Sequence, residues 1–212
     1  MDLRQKLLAM GGLAEQAVDR AIRAYQTRDS LLCRQVIDGD GEINRAEQEI
    51  DELGLDLLAM QQPMAGDLRF ILAVIKIKGD LERVGDQAVN IAQRVLDMIA
   101  LPTMEVPVDI PYMASIVAEM VRKSLEAFVK EDPALAQTVL EMDDIVDRIN
   151  REAFASIEKT MENERTTVHQ SLDLLLIARN LERVADHATN IAEDVIFWVK
   201  GADVRHHSSN RV

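Results

Sequence analysis

Two stretches of the chain carry acids at a spacing that suits metal chemistry. Glu82, Asp86 and Asn90 stand at i, i+4 and i+8, as do Glu182, Asp186 and Asn190, with Asp194 four residues further on. On a helix such positions stack along one side, because four residues are little more than one turn. Two carboxylates at i, i+4 repel by roughly 0.2–0.5 kcal/mol, so a chain that builds the pair twice has a use for it. Oxygen ligands suit hard or borderline cations: iron, manganese, magnesium or zinc. Asp40 and Asn44, and opposite them Asp143 and Asp147, add an upstream i, i+4 pair in each half. The candidate metal ligands are therefore Asp40, Glu82, Asp86, Asp143, Asp147, Glu182, Asp186 and Asp194. Against this stands a plain solvated helix face, on which Arg83 and Arg183 pair with Asp86 and Asp186 at i, i+3. Asn44 replaces an acid, and Arg94 stands where the second half has Asp194. The first half is thus the weaker site, and two inequivalent sites are expected.

These acids sit inside a repeat. Leu81-Glu-Arg-Val-Gly-Asp-Gln-Ala-Val-Asn-Ile-Ala92 recurs as Leu181-Glu-Arg-Val-Ala-Asp-His-Ala-Thr-Asn-Ile-Ala192, identical at nine of twelve positions. The upstream acids match at an offset of 103. Two copies of one helical unit follow from this. On a helical wheel Leu81, Val84, Ala88, Ile91 and Val95 cluster as the packing face. The acidic stripe falls roughly 180° away and is expected to face outward. That disfavours a buried di-iron oxidase, which uses Glu and Glu-x-x-His facing inward. His187 adjoins Asp186 in the second copy only.

Each copy reads as three helices. The first copy has Leu3–Thr27, a second helix opened by Asp29 as N-cap, and a third from Ala65 to Met98 after the break at Pro63. Gly39 and Gly41 mark a place where the second could kink. In the second copy the helices run over Tyr112–Glu131, Asp132–Met161 with Pro133 at its first position, and Thr166–Lys200, with Gly201 as C′. Pro102, Pro107 and Pro111 crowd into one stretch that divides the chain. The expected fold is all-α: two tandem antiparallel three-helix bundles, residues 1–100 and 112–201, joined by a linker over 101–111 and followed by a polar tail over 202–212.

Composition removes several classes of function. The 212 residues carry 24 Lys+Arg against 37 Asp+Glu, a net charge of −13, which repels a nucleic-acid backbone. Seven aromatic side chains are too few for base-stacking platforms. One cysteine, Cys33, permits neither an internal disulfide nor a Cys-based zinc site, and reads as a small core residue. No apolar run reaches transmembrane length, and the first residues lack a signal-peptide core, so a reduced cytoplasmic setting is expected. There is no phosphate-binding glycine loop and no nucleophile elbow. His206 and His207 read as a solvated tail, His169 as a helix-surface residue, and Met60 and Met64 as flanks of a turn. Asp67 is accounted for by the helix dipole.

The duplicated Leu-Glu-Arg-Val-(Gly/Ala)-Asp-x-Ala-x-Asn-Ile-Ala motif, with Gln62-Pro63-x-Ala65-x-Asp67-Leu68-Arg69 upstream, resembles the PhoU family of bacterial phosphate-signalling regulators. The likeness runs from Leu3 to Gly201 and includes the helix order and the terminal Phe197-Trp-Val-Lys-Gly201. It implies two three-helix bundles and a non-enzymatic negative regulator of phosphate-starvation genes and of phosphate uptake. It also implies two partners, the ATPase subunit of a phosphate ABC transporter and a membrane sensor histidine kinase, and hence work at the cytoplasmic face of the inner membrane. A homodimer is the symmetry expectation. Some similar proteins carry multinuclear iron or zinc on these carboxylate motifs, and others are metal-free. The resemblance therefore points to Glu82, Asp86, Asp143, Asp147, Glu182 and Asp186, with Asp40 kept as the first acid of the upstream motif. Relatives usually have more chain before the first helix. The rival classes are a metal-dependent carboxylate enzyme at the same stripe and a plain metal-binding bundle. An outward, water-exposed stripe argues mildly against the enzyme.

Overall fold

Aspartates set where the helices begin. Asp2 accepts from the Gln5 backbone N–H at 2.8 Å and opens α1 (Leu3–Thr27). Asp29 accepts from the N–H groups of Leu31 and Leu32 and opens α2 (Ser30–Gln61). The second half uses the same device: Asp109 opens α4 (Ile110–Lys130) and Asp132 opens α5 (Pro133–Asn163). Each cap satisfies N–H groups that have no partner within the helix. Arg28 (φ 51°) and Glu131 (φ 53°) take the left-handed conformation and turn the chain directly from one helix into the next. The third helix of each half is α3 (Ala65–Ile99) or α6 (Val168–Lys200). Gly201, at φ 68°, ends α6 as the sequence led one to expect.

This computed structural model describes residues 2–61, 63–102, 108–163 and 167–201. Among them there are six helices and no strand, so the all-α expectation is met. The tail over 202–212 with His206 and His207, linker residues 103–107, and Gln62 lie outside the described residues. One local expectation changes. Helix α4 starts at Ile110, before Tyr112, because Asp109 caps it and Pro111 fits the first turn. Helix α2 stays helical through Gly39 and Gly41.

Helices α1, α2 and α3 pack on one another, as do α4, α5 and α6, and the two bundles join through α3 against α6 and α1 against α4. The central pair is antiparallel. Lys76 near the start of α3 meets Asp194 near the end of α6 at 3.2 Å, and Arg94 meets Asp173 at 3.3 Å near the other ends. Leu81, Val84, Ala88, Ile91 and Val95 are buried, as are Leu181, Val184, Ala188, Ile191 and Val195. The buried face is wider than one stripe, since α3 and α6 each pack against three other helices. At Gly85 an added Cβ would lie 2.8 Å from Ile43 Cδ1, so α2 approaches α3 closely there. The second copy has Ala185 and the smaller Val146 at the matching positions.

One end of the two-bundle junction is closed by an aromatic cage. The Arg4 guanidinium lies 5.4 Å from the Phe70 ring, 5.6 Å from Phe128 and 5.4 Å from Trp198, and donates to Glu131 Oε1 at 2.8 Å. These groups come from α1, α3, α4 and α6. Replacing Arg4 by alanine is expected to cost about 1–2 kcal/mol, from the cation–π contacts of a partly desolvated guanidinium. Urea denaturation measures the cost. Trp198 is the one tryptophan, so its emission reports directly on the cage.

Candidate metal centre

The acidic stripe is only in part a solvent stripe. Glu82 and Glu182 are half-buried under α2 and α5, and Asp194 is only 5% exposed. This overturns the outward expectation for those three residues; Asp86 and Asp186 remain exposed. The exposure argument against an enzyme weakens with it.

The structure also splits the stripe. Each step of four residues turns about 40° past a full circle, so Glu182 to Asp194 spans about 120°. Glu182 and Asp186 interact electrostatically with Asp147 and Asp143 of α5. Asn190 and Asp194 face α3 instead. Asn190 donates to Asp80 Oδ1 at 3.0 Å, and Lys76 donates to Asp194 Oδ1 at 3.2 Å. Asp194 is therefore not brought to Asp143, Asp147, Glu182 and Asp186. His187 turns the same way, its Nδ1 lying 2.9 Å from Asp80 Oδ1. Asp80 is the hub of this polar contact between the bundles. The sequence reading passed over it because it precedes the acidic stripe.

In the first repeat α2 supplies Asp40 and α3 supplies Glu82 and Asp86. Asn44 Nδ2 donates to Asp40 Oδ2 at 2.8 Å, while Asp40 Oδ1 is buried with no hydrogen-bond partner. Burial pushes the Glu82 carboxyl up, and Asp86, Glu47 and Asp40 add to this against the opposing Arg83. Asp86 is raised by burial, then by Asp40 and Glu47, with His187 opposing. Glu47, one turn beyond Asn44, is thus a member of the set that sequence reasoning missed. It continues the Asp40 and Asn44 face at i+7, which is the signal that could have found it.

In the second repeat Asp143, Asp147, Glu182 and Asp186 form the set. Asp143 is pushed up to about 6, chiefly by burial and then by Asp147, Asp186, Asp144 and Glu182. Glu182 is raised by burial and by Asp186 and Asp147, although Arg179 donates to its Oε1 at 2.7 Å. Burial raises Asp186 as well, with Asp147 adding to it and His187 opposing. Glu182 Oε2 is buried with no hydrogen-bond partner. Among the described residues no three His, Cys, Asp or Glu side chains converge tightly enough to grip an ion as they stand. The carboxylates repel one another, although Arg179 pairs with Glu182 at 2.7 Å and Arg151 lies 3.8 Å from Asp147. All-oxygen donors, an unpartnered buried carboxylate oxygen and mutual repulsion together fit a hard or borderline cation between α5 and α6.

Comparison with known proteins agrees with this architecture. The model of the PhoU domain matches residues 7–95 and again residues 110–195, once per repeat. The phosphate-specific transport system accessory protein PhoU homolog of Pseudomonas aeruginosa is 40% identical over 208 residues, which are 97% of this chain and 85% of that protein. The phosphate-specific transport system accessory protein PhoU of Escherichia coli is 32% identical over 204 residues, 96% of this chain and 85% of that protein. The crystal structure of PhoU from Pseudomonas aeruginosa superposes with a TM-score of 0.92 at 39% identity, covering 95% of this chain and 97% of that one. The phosphate transport system regulatory protein PhoU from Streptococcus pneumoniae does so with a TM-score of 0.85 at 26% identity, covering 95% of each chain. With both repeats matched and sequence and fold in agreement, this chain belongs to the PhoU family.

Proposed function

We propose that this chain is a non-enzymatic regulator of phosphate homeostasis. It keeps phosphate-starvation genes and phosphate uptake down by linking the ATPase subunit of a phosphate ABC transporter to a membrane sensor histidine kinase. The observation that carries this reading is the match of both repeats to relatives named as accessory proteins of the phosphate-specific transport system. Among the described residues no helix is long and apolar enough to cross a membrane. The protein then works at the cytoplasmic face of the inner membrane through its partners, as a homodimer. Helices of 31–35 residues in α2, α3, α5 and α6 offer long faces for such contacts. Signalling needs differential affinity: one state of the transporter must bind this protein better than the other.

The carboxylate faces, in this reading, hold iron or zinc, with Asp143, Asp147, Glu182 and Asp186 as ligands. The ion supplies positive charge that neutralises carboxylates which otherwise repel across α5 and α6. Deleting the gene and reading an alkaline phosphatase reporter in phosphate-rich medium tests the regulatory role. High output is expected, and output as low as in the parent strain overturns the role. A second reading, a metal-dependent carboxylate enzyme, draws on Asp143, whose carboxyl is pushed up to about 6 by burial and like charge, toward the range that suits proton transfer. It requires a turnover that Asp143→Asn abolishes.

A further inference from the structure

We infer that the open face of the α3–α6 pair is a pseudo-two-fold docking surface, with which one chain lies across the two ATPase subunits of the transporter and touches both in the same way. This deepens the proposed link to the transporter and rests on it.

Helices α1 and α4 pack on α3 and α6 and on each other, so they close one face of the central pair. Among the described residues α2 touches α1 and α3, and α5 touches α4 and α6, which puts both at the flanks. The other face of the pair stays open as two grooves. One, of about 360 Å³, is lined by Lys76 and Arg83 of α3 with Asn190 and Asp194 of α6. The second, of about 590 Å³, is lined by Arg94 of α3 with Leu172, Asp173 and Leu176 of α6. Arg94 and Leu176 are the repeat counterparts of Asp194 and Lys76, so the two grooves share one face.

That face has a symmetry axis of its own. Lys76 meets Asp194, Asp80 meets His187, and Arg94 meets Asp173. At the repeat offset of 100 these pairs mirror about Gly85 of α3 and Ala185 of α6. A pseudo-two-fold axis therefore runs through the seam there, perpendicular to both helices, since antiparallel neighbours exchange in no other way. Leu72 and Leu172 are counterparts, and both stand exposed, at 40% and 46%. Leu68 (38%) and Leu176 (46%) widen the apolar patch at each end. Beside the axis Arg83 and Arg183 are both exposed, in a chain of net charge −13. Buried positions of a repeat must match for the two bundles to fold alike, but exposed leucines and arginines are under no such demand. Their duplication on one face suits a partner that is itself two-fold, with an apolar contact at each end and acidic groups beside its axis.

The dimensions agree. At about 1.5 Å per residue Leu72 and Leu172 lie roughly 40 Å apart along the helices. Two helices about 50 Å long and about 10 Å across present roughly 1,000 Å², enough for the ~800 Å² that a specific partner covers. The two ATPase subunits of an ABC transporter lie side by side about a two-fold axis, which gives each half of the face the same partner surface.

The test uses the full chain and the purified transporter in lipid nanodiscs. Leu72→Ser and Leu172→Ser should each weaken binding by about tenfold or more, and by similar factors, while Leu55→Ser on α2 should leave it within about twofold. Leu72→Cys and Leu172→Cys, each labelled with a thiol-linked photo-crosslinker, should mark the same peptide of the ATPase subunit. Cys33 is buried and stays unlabelled. If a serine variant does not fold, the crosslinks decide alone. Crosslinks to different peptides, or a loss at one leucine only, overturn the two-fold docking and leave the transporter link standing. So does leucine-dependent binding to vesicles of phosphatidylglycerol and phosphatidylethanolamine, or leucine-dependent self-association, either of which assigns the face to another occupant. No binding to the transporter overturns this inference and the transporter link together, and the reporter experiment on the regulatory role is independent of both.

Discussion

Replacing Asp143 by asparagine is expected to stabilise the protein at pH 7 in metal-free buffer, by about 1 kcal/mol after solvent screening of this partly exposed carboxyl. The folded carboxyl is pushed up to about 6 from its ordinary value of 3.8. Burial is the main cause, and Asp147, Asp186, Asp144 and Glu182 add like charge. Because the folded value lies above the unfolded one, the native state binds the extra proton between about pH 4 and pH 6. Stability from this group is therefore greatest at and below the lower limit. It falls as pH rises through the window and stays lost above it. Glu82, Asp86, Glu182 and Asp186 are also raised and act in the same direction. Asparagine keeps the shape and removes the charge, so the variant should lack most of the decline. Urea denaturation at pH 4.5 and pH 7 measures it. A variant no more stable than the parent at pH 7 would show that the cluster relaxes without strain. Saturating Mn(II) should reverse the ranking, since an ion that binds only the folded state stabilises the parent and not the variant.

The parts of the fold that were legible in the sequence are those with a local cause. Asp29 is a cap because a short acceptor before an apolar-periodic run satisfies free N–H groups, and it does so here at 2.8 Å to Leu31. Leu81, Val84, Ala88, Ile91 and Val95 pack because helical periodicity places them on one face. The illegible parts depend on what lies opposite. A wheel locates the acidic stripe on its own helix, yet says nothing of the neighbours that half-bury Glu82 and Glu182. It also hides the slow rotation that carries Asp194 away from Asp186 to Lys76. Lys78 is the sharpest case. In sequence it is one more lysine three residues before the repeated motif, and only the α2–α3 register shows it buried between Glu47 and Asp51.

Truncating Phe128 to alanine should cost about 3–5 kcal/mol, the range for a fully buried aromatic side chain. Phe128 is fully buried. Its ring stacks on Phe70 at 6.1 Å and tilts against Trp198 at 5.2 Å, and Phe70 and Trp198 also lie 5.2 Å apart. Three of the seven aromatic side chains thus meet at one point, each from a different helix and from both repeats. The loss extends beyond a cavity, because Arg4 forfeits one wall of its cage. Arg4→Ala and Phe128→Ala should therefore be non-additive, with a coupling of about 0.5 kcal/mol or more in a double-mutant cycle. Emission from Trp198 should shift to the red in both single variants as water reaches the indole. Phe128→Leu keeps most of the volume and should cost much less. The far end of the α3–α6 pairing is held differently. Arg94 reaches Asp173 at 3.3 Å, and the Arg28 guanidinium donates to the carbonyls of Met98, Ile99 and Leu101. Partly exposed ion pairs of this kind contribute little compared with a buried aromatic cluster. The cage is then the stronger of the two fastenings, and Phe128→Ala should loosen the bundles at that end first. A cost below about 1 kcal/mol with unshifted Trp198 emission would instead place the strength of the junction in the helical seam itself.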